Sequence, residues 1–65
     1  MTPTERMDAY RLAYQTCHGA ELWSIRHDDG LYWITMRSNT PPVAVSARQI
    51  ERMTRNLRRA INLPA

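Results

Sequence analysis

The chain has 65 residues, a formal net charge of +3 and one cysteine, which leaves room for a single domain over residues 1–65 and excludes an internal disulfide. Two histidines beside that cysteine are too few for a structural zinc site, and the longest apolar run is far short of a membrane span. So small a core is only marginally stabilising, so good helix caps, dense packing or a second chain must supply the rest.

The first element is a helix over residues 3–18. Thr2 can cap it, Pro3 takes the first helical position, and Glu5 completes a Thr-x-x-Glu capping box. Gly19 supplies the stop signal, and His18 lies in the last turn, where a cation suits the helix dipole. Met7, Tyr10, Tyr14 and Cys17 fall on one stripe with Ala13 at its edge, which predicts a core face and makes Cys17 a small buried hydrophobe. Leu12 lies well off that face, as an isolated exposed leucine or as part of a second contact surface.

Residues 21–37 switch to a period of two. Asp29-Gly30 is a favoured type I′ pair, predicting a hairpin of strands 21–27 and 31–37. In that register His27 faces Tyr32, Ile25 faces Ile34 and Trp23 faces Met36 on the more apolar side. Arg26 faces Trp33, Ser24 faces Thr35 and Leu22 faces Arg37 on the other. A longer, bulged loop at Gly30 would instead turn Trp33 inward beside Ile25.

Ser38-Asn39-Thr40-Pro41-Pro42 reads as a turn or extended connection, and Val43-Ala44-Val45 as a short third strand at the edge. Ser46 and Gln49 form a second capping box, with Val45 and Ile50 as a hydrophobic staple, opening a helix over residues 47–61. Ile50, Met53, Leu57 and Ile61 make its core stripe, and Asn62 and Pro64 end it. The expected fold is α+β: helix, β-hairpin with a short third antiparallel strand, helix, with both helices on one face of the sheet and the other face bare.

All nine cationic side chains are arginines. A GC-rich genome explains that bias most simply, while bidentate grip on phosphate or carboxylate is the functional alternative. Charge is also uneven: residues 1–45 carry four Arg and five acids, whereas residues 46–65 carry five Arg and Glu51 alone, a hint of a nucleic-acid or acidic partner. Arg48, Arg52, Arg55 and Arg59 recur opposite the core stripe over roughly 16 Å of helix, a scale that suits backbone phosphates. Arg58 sits to one side, where it can reach back to Glu51. The plain alternative is a solvated face, although such faces usually mix signs.

On the bare sheet face, Trp33 would lie beside Arg26 and near Arg37. There it could stack on bases, anchor an interface together with Leu22, or be shielded by a cation–π contact. His27-Asp28-Asp29 is better read as a turn than as a metal or catalytic site. Cys17-His18 cannot form a dyad, because helix neighbours point about 100° apart. Nothing calls for a cofactor, a metal or a small-molecule substrate, and two glycines exclude a phosphate-cradling loop.

The helix–three strands–helix order resembles that of double-stranded RNA-binding domains, which present a basic second helix to phosphates. The chain lacks their lysine cluster at the start of that helix. We therefore expect a small, non-enzymatic, cytoplasmic module that binds nucleic acid through Arg48, Arg52, Arg55 and Arg59, assisted by Arg26, Trp33 and Arg37. The alternative is a protein-interaction module, either a homodimer or an inhibitor or adaptor of the kind phages and plasmids encode, with Trp33, Leu22 and Leu12 at its interface. The lone cysteine and the absence of a signal-like segment support the cytoplasmic assignment, and Met1 with the well-capped first helix suggests a complete chain.

Overall fold

The computed structural model describes residues 2–62. Its elements run α1 (Pro3–His18), β1 (Ser24–Asp28), β2 (Leu31–Thr35), β3 (Val43–Val45) and α2 (Ala47–Asn62). Both helix starts close as reciprocal capping boxes. In α1 the Glu5 N–H donates to Thr2 Oγ1 at 3.1 Å, and the Thr2 N–H donates to Glu5 Oε1 at 3.1 Å. In α2 the Gln49 N–H donates to Ser46 Oγ at 3.2 Å, and the Ser46 N–H donates to Gln49 Oε1 at 2.8 Å. Each box satisfies donors that a helix start would otherwise leave orphaned. Gly19, at φ 72°, ends α1 in the left-handed region and returns its N–H to the Gln15 carbonyl at 2.8 Å. Pro64, expected to close α2, lies outside the described residues.

The hairpin takes the two-residue turn. Asp29 and Gly30 both have positive φ, 52° and 76°, the signature of a type I′ turn whose twist matches its strands. It sets the expected register: Ile25 pairs with Ile34, Arg26 with Trp33 and His27 with Tyr32. Val43–Val45 forms a third antiparallel strand on β2, giving the order β1-β2-β3. A turn from Arg37 to Thr40, closed by Thr40 Oγ1 donating to the Arg37 carbonyl at 2.9 Å, leads into the two prolines before β3.

One face of the sheet carries the core. Tyr32, Ile34 and Val45 from the strands meet Tyr10 of α1 and Ile50 of α2, with Met7, Tyr14, Ile25, Met53 and Leu57 packed around them. The helices lie side by side on this face. The opposite face presents Ser24, Arg26, Trp33, Thr35 and Ala44, the alternate positions of the three strands.

Four expected placements change. Leu22 is not on the outer side opposite Arg37: it is 9 % exposed within the core, while Trp23, expected inside against Met36, is 65 % exposed. The ladder begins at Ser24 and ends at Thr35, so period-two parity does not extend back to residues 22 and 23. Cys17 is exposed rather than buried, and Ile61 is exposed at the far end of the predicted α2 stripe. A 16-residue helix is about 24 Å long, whereas five-residue strands reach only about 17 Å. The helices are thus longer than the strands they pack on, and their last turns carry the exposed Cys17 and Ile61.

Ile50 is fully buried and Val43 is half exposed. Ile50→Ala should lower unfolding free energy by about 2–5 kcal/mol through lost transfer energy and a residual cavity, and Val43→Ala by well under half of that. Urea denaturation of both variants checks the ranking.

Candidate functional site

The second helix buries Ile50 and Thr54 and exposes Arg48, Arg52, Arg55, Arg58 and Arg59. The arginine stripe predicted from spacing is thus presented to solvent along the side opposite the core. Thr54 is a residue that sequence reasoning missed. It is 7 % exposed, and its hydroxyl donates to the Ile50 carbonyl at 2.8 Å. That back-bond satisfies the hydroxyl internally and lets a polar residue occupy a core position. Its place between Ile50 and Leu57 at helical spacing was the available signal.

Glu51 is the only acid of α2, and it does not pair with Arg58. Its Oε1 accepts from Arg6 Nε of α1 at 2.7 Å. The same guanidinium donates through Nη1 to the Tyr32 hydroxyl of β2 at 3.2 Å. Arg6 is therefore fixed at both ends of its fork, and it links α1, α2 and the central strand. The contact with Arg6 holds the Glu51 carboxyl below its ordinary value, and the bonds from Arg6 to Glu51 and Tyr32 raise the guanidinium in turn. An Arg58 two turns along the same helix would have to fold back along the axis, whereas Arg6 meets Glu51 directly across the helix pair.

This pairing changes the local charge. Among the described residues Arg6–Glu51 is the only ion pair, so the five arginines of α2 face solvent without a carboxylate partner. A cleft of about 270 Å³ opens between the helices, lined by Arg6, Ala9, Glu51, Thr54, Arg55 and Arg58. Arg55 thus belongs both to the exposed stripe and to the cleft wall.

The other predicted residues lie elsewhere. Arg26 pairs with Trp33 on the uncovered sheet face, so the sheet separates it from the arginines of α2. Arg37 sits in the turn after β2. Trp33 is half-buried on that face, and its indole Nε1 is shielded from solvent and has no hydrogen-bond partner among the described residues. Leu22 leaves the set of interface candidates because it belongs to the core, while Leu12 is exposed on α1. Asp28 ends β1, Asp29 forms the turn, and the His27 ring packs against Tyr32 at 4.7 Å between centroids. The His18 ring packs against Tyr14 at 4.4 Å. A shallower, more apolar groove runs past Tyr14, His18, Met36, Met53 and Leu57. Among the described residues no helix is long and apolar enough to cross a membrane.

The depressed Glu51 carboxyl makes a pH prediction. Its contribution to stability is complete above the unfolded glutamate value near 4.5 and is lost as pH falls through the lower folded value. Wild type should exceed Glu51→Gln in stability at neutral pH, and the gap should narrow as pH falls below the unfolded glutamate value of 4.5 and through the lower folded value. Glu5, held low by its bonds to Thr2, titrates in both proteins and cancels from the difference. Paired urea titrations from pH 7 to pH 3 measure it. Compared with known protein families, curated proteins and solved structures, the chain matches none.

Proposed function

We propose that the chain is a small, non-enzymatic, cytoplasmic nucleic-acid-binding module whose second helix engages the phosphate backbone. One observation carries this reading: α2 exposes Arg48, Arg52, Arg55, Arg58 and Arg59, while its single carboxylate is held by Arg6 of the neighbouring helix. A helix face of one sign attracts a polyanion over the first nanometre of approach. Guanidinium forks then bind phosphate oxygens in pairs, which lysine cannot do. Contacts of this kind position a protein on a backbone and carry no base information. The module is accordingly a binder of phosphate geometry first and of sequence second. Arg26 and Trp33 sit across the sheet from this surface, so the primary contact is made by α2 without them.

A second reading, a protein-interaction module acting as a homodimer, is favoured by the uncovered sheet face. That face carries a half-buried Trp33, and a large aromatic of this kind is a common interface anchor. The surface consists of Trp33 with its strand neighbours, without Leu22. Under this reading the sedimenting mass rises with concentration and Trp33→Ala returns it to that of a monomer. A monomer at all concentrations, unchanged by the substitution, removes its support.

For the leading reading, labelled single-stranded and duplex DNA and RNA are titrated with wild type and with Arg52→Glu/Arg55→Glu. The double variant should lose binding to every sequence by a similar factor, as removal of backbone contacts requires. Both positions are exposed, so the fold should persist. Binding that survives the double reversal contradicts the proposal.

A further inference from the structure

The cleft between α1 and α2 is lined only by side chains of the two helices. On the α1 side Ala9 contributes no more than a methyl group, which leaves the gap open, and Thr54 lines it from α2 with its hydroxyl already committed to Ile50. Of the four charged groups lining it, Arg6 and Glu51 neutralise each other at 2.7 Å, and Arg6 is tied further to Tyr32. Arg55 and Arg58 remain. They are three residues apart on α2, which places their stems roughly 5–6 Å apart on one side of the helix. Two guanidinium side chains lining a cleft whose other two charges are paired with each other make a site for an oxyanion, since each fork can donate two parallel hydrogen bonds. Phosphate, with oxygens in several directions, can accept from both forks at once, whereas a flat carboxylate presents only two.

We infer that this cleft is a phosphate subsite, in which Arg55 and Arg58 hold one phosphoryl group of a nucleic-acid strand and the Arg6–Glu51 pair forms its fixed wall. The inference deepens the nucleic-acid reading and rests on it for the source of the phosphate. Arg58, outside the predicted stripe, thereby becomes a ligand-binding residue. Glu51 limits the affinity of the site, because its charge cancels that of Arg6.

The test follows the Arg Nε–Hε signals of ¹⁵N-labelled protein during titration with inorganic phosphate at constant ionic strength, and in parallel with a short single strand and a duplex. With phosphate, Arg55 and Arg58 should shift and saturate before Arg48, Arg52 and Arg59. Arg58→Gln should abolish the saturable shift of Arg55, and Arg11→Gln, at an exposed position of α1 outside the cleft, should leave it intact. Glu51→Gln, which frees Arg6, should tighten phosphate several-fold, while Asp8→Asn, the same charge change on the exposed side of α1, should not. Backbone spectra of each variant report that the fold is kept. Equal, non-saturating shifts at all five arginines, or a Glu51→Gln effect matched by Asp8→Asn, overturn the subsite. With the oligonucleotides, early shifts at Arg55 and Arg58 support both proposals. Saturation by phosphate alone keeps the cleft and removes the nucleic-acid reading. Oligonucleotide binding that moves only Arg48, Arg52 and Arg59 keeps that reading and removes the cleft.

Discussion

The charge of the exposed face of α2 depends on which guanidinium holds Glu51. Had Glu51 paired along its own helix, α2 would display a partly neutralised face and no cleft of distinct charge. Arg6 takes it instead, and the Tyr32 hydroxyl fixes the other end of Arg6. A partly exposed ion pair contributes little to stability because water and salt screen it. Its consequence is electrostatic placement. The negative charge of α2 is turned toward α1, and positive charge is left along the side of α2 that faces solvent.

That placement needs the helices to lie where they do, and the sheet decides it. Asp29 and Gly30 adopt positive φ together, so the hairpin closes in two residues and Tyr32 and Ile34 point to one face. A slip of one residue would send them to solvent and Trp33 into the core. With the register fixed, Tyr32 reaches both the core cluster and Arg6, and it is one of the most deeply buried side chains. One residue therefore connects the packing of the sheet with the electrostatics of the helix pair.

Much of this was legible because it is local. The capping boxes, the Asp29–Gly30 turn, the strand register and the arginine stripe depend on residues within a few positions of one another, and each appears in the structure where spacing put it. The misplacements share a different character. Leu22 and Trp23 fall on the expected faces only if strand alternation extends past Ser24, where the ladder begins, and alternation has no force outside a ladder. For Cys17 and Ile61, both exposed, helical period says which way a side chain points and nothing of how far the sheet extends beneath it. The Glu51 partner is 45 positions away in sequence, beyond any spacing rule. The stripe on the candidate site was readable, and the cleft beside it was not, because it exists only once α1 and α2 are side by side.

The central claim is that phosphate contacts by the arginines of α2 govern binding, and its most direct test is the salt dependence of affinity for one oligonucleotide. Each neutralised phosphate on a duplex contributes about −0.9 to the slope of log K against log salt concentration. Four or five arginine contacts therefore predict a slope of roughly −4. A slope near zero, with binding intact, would contradict the account.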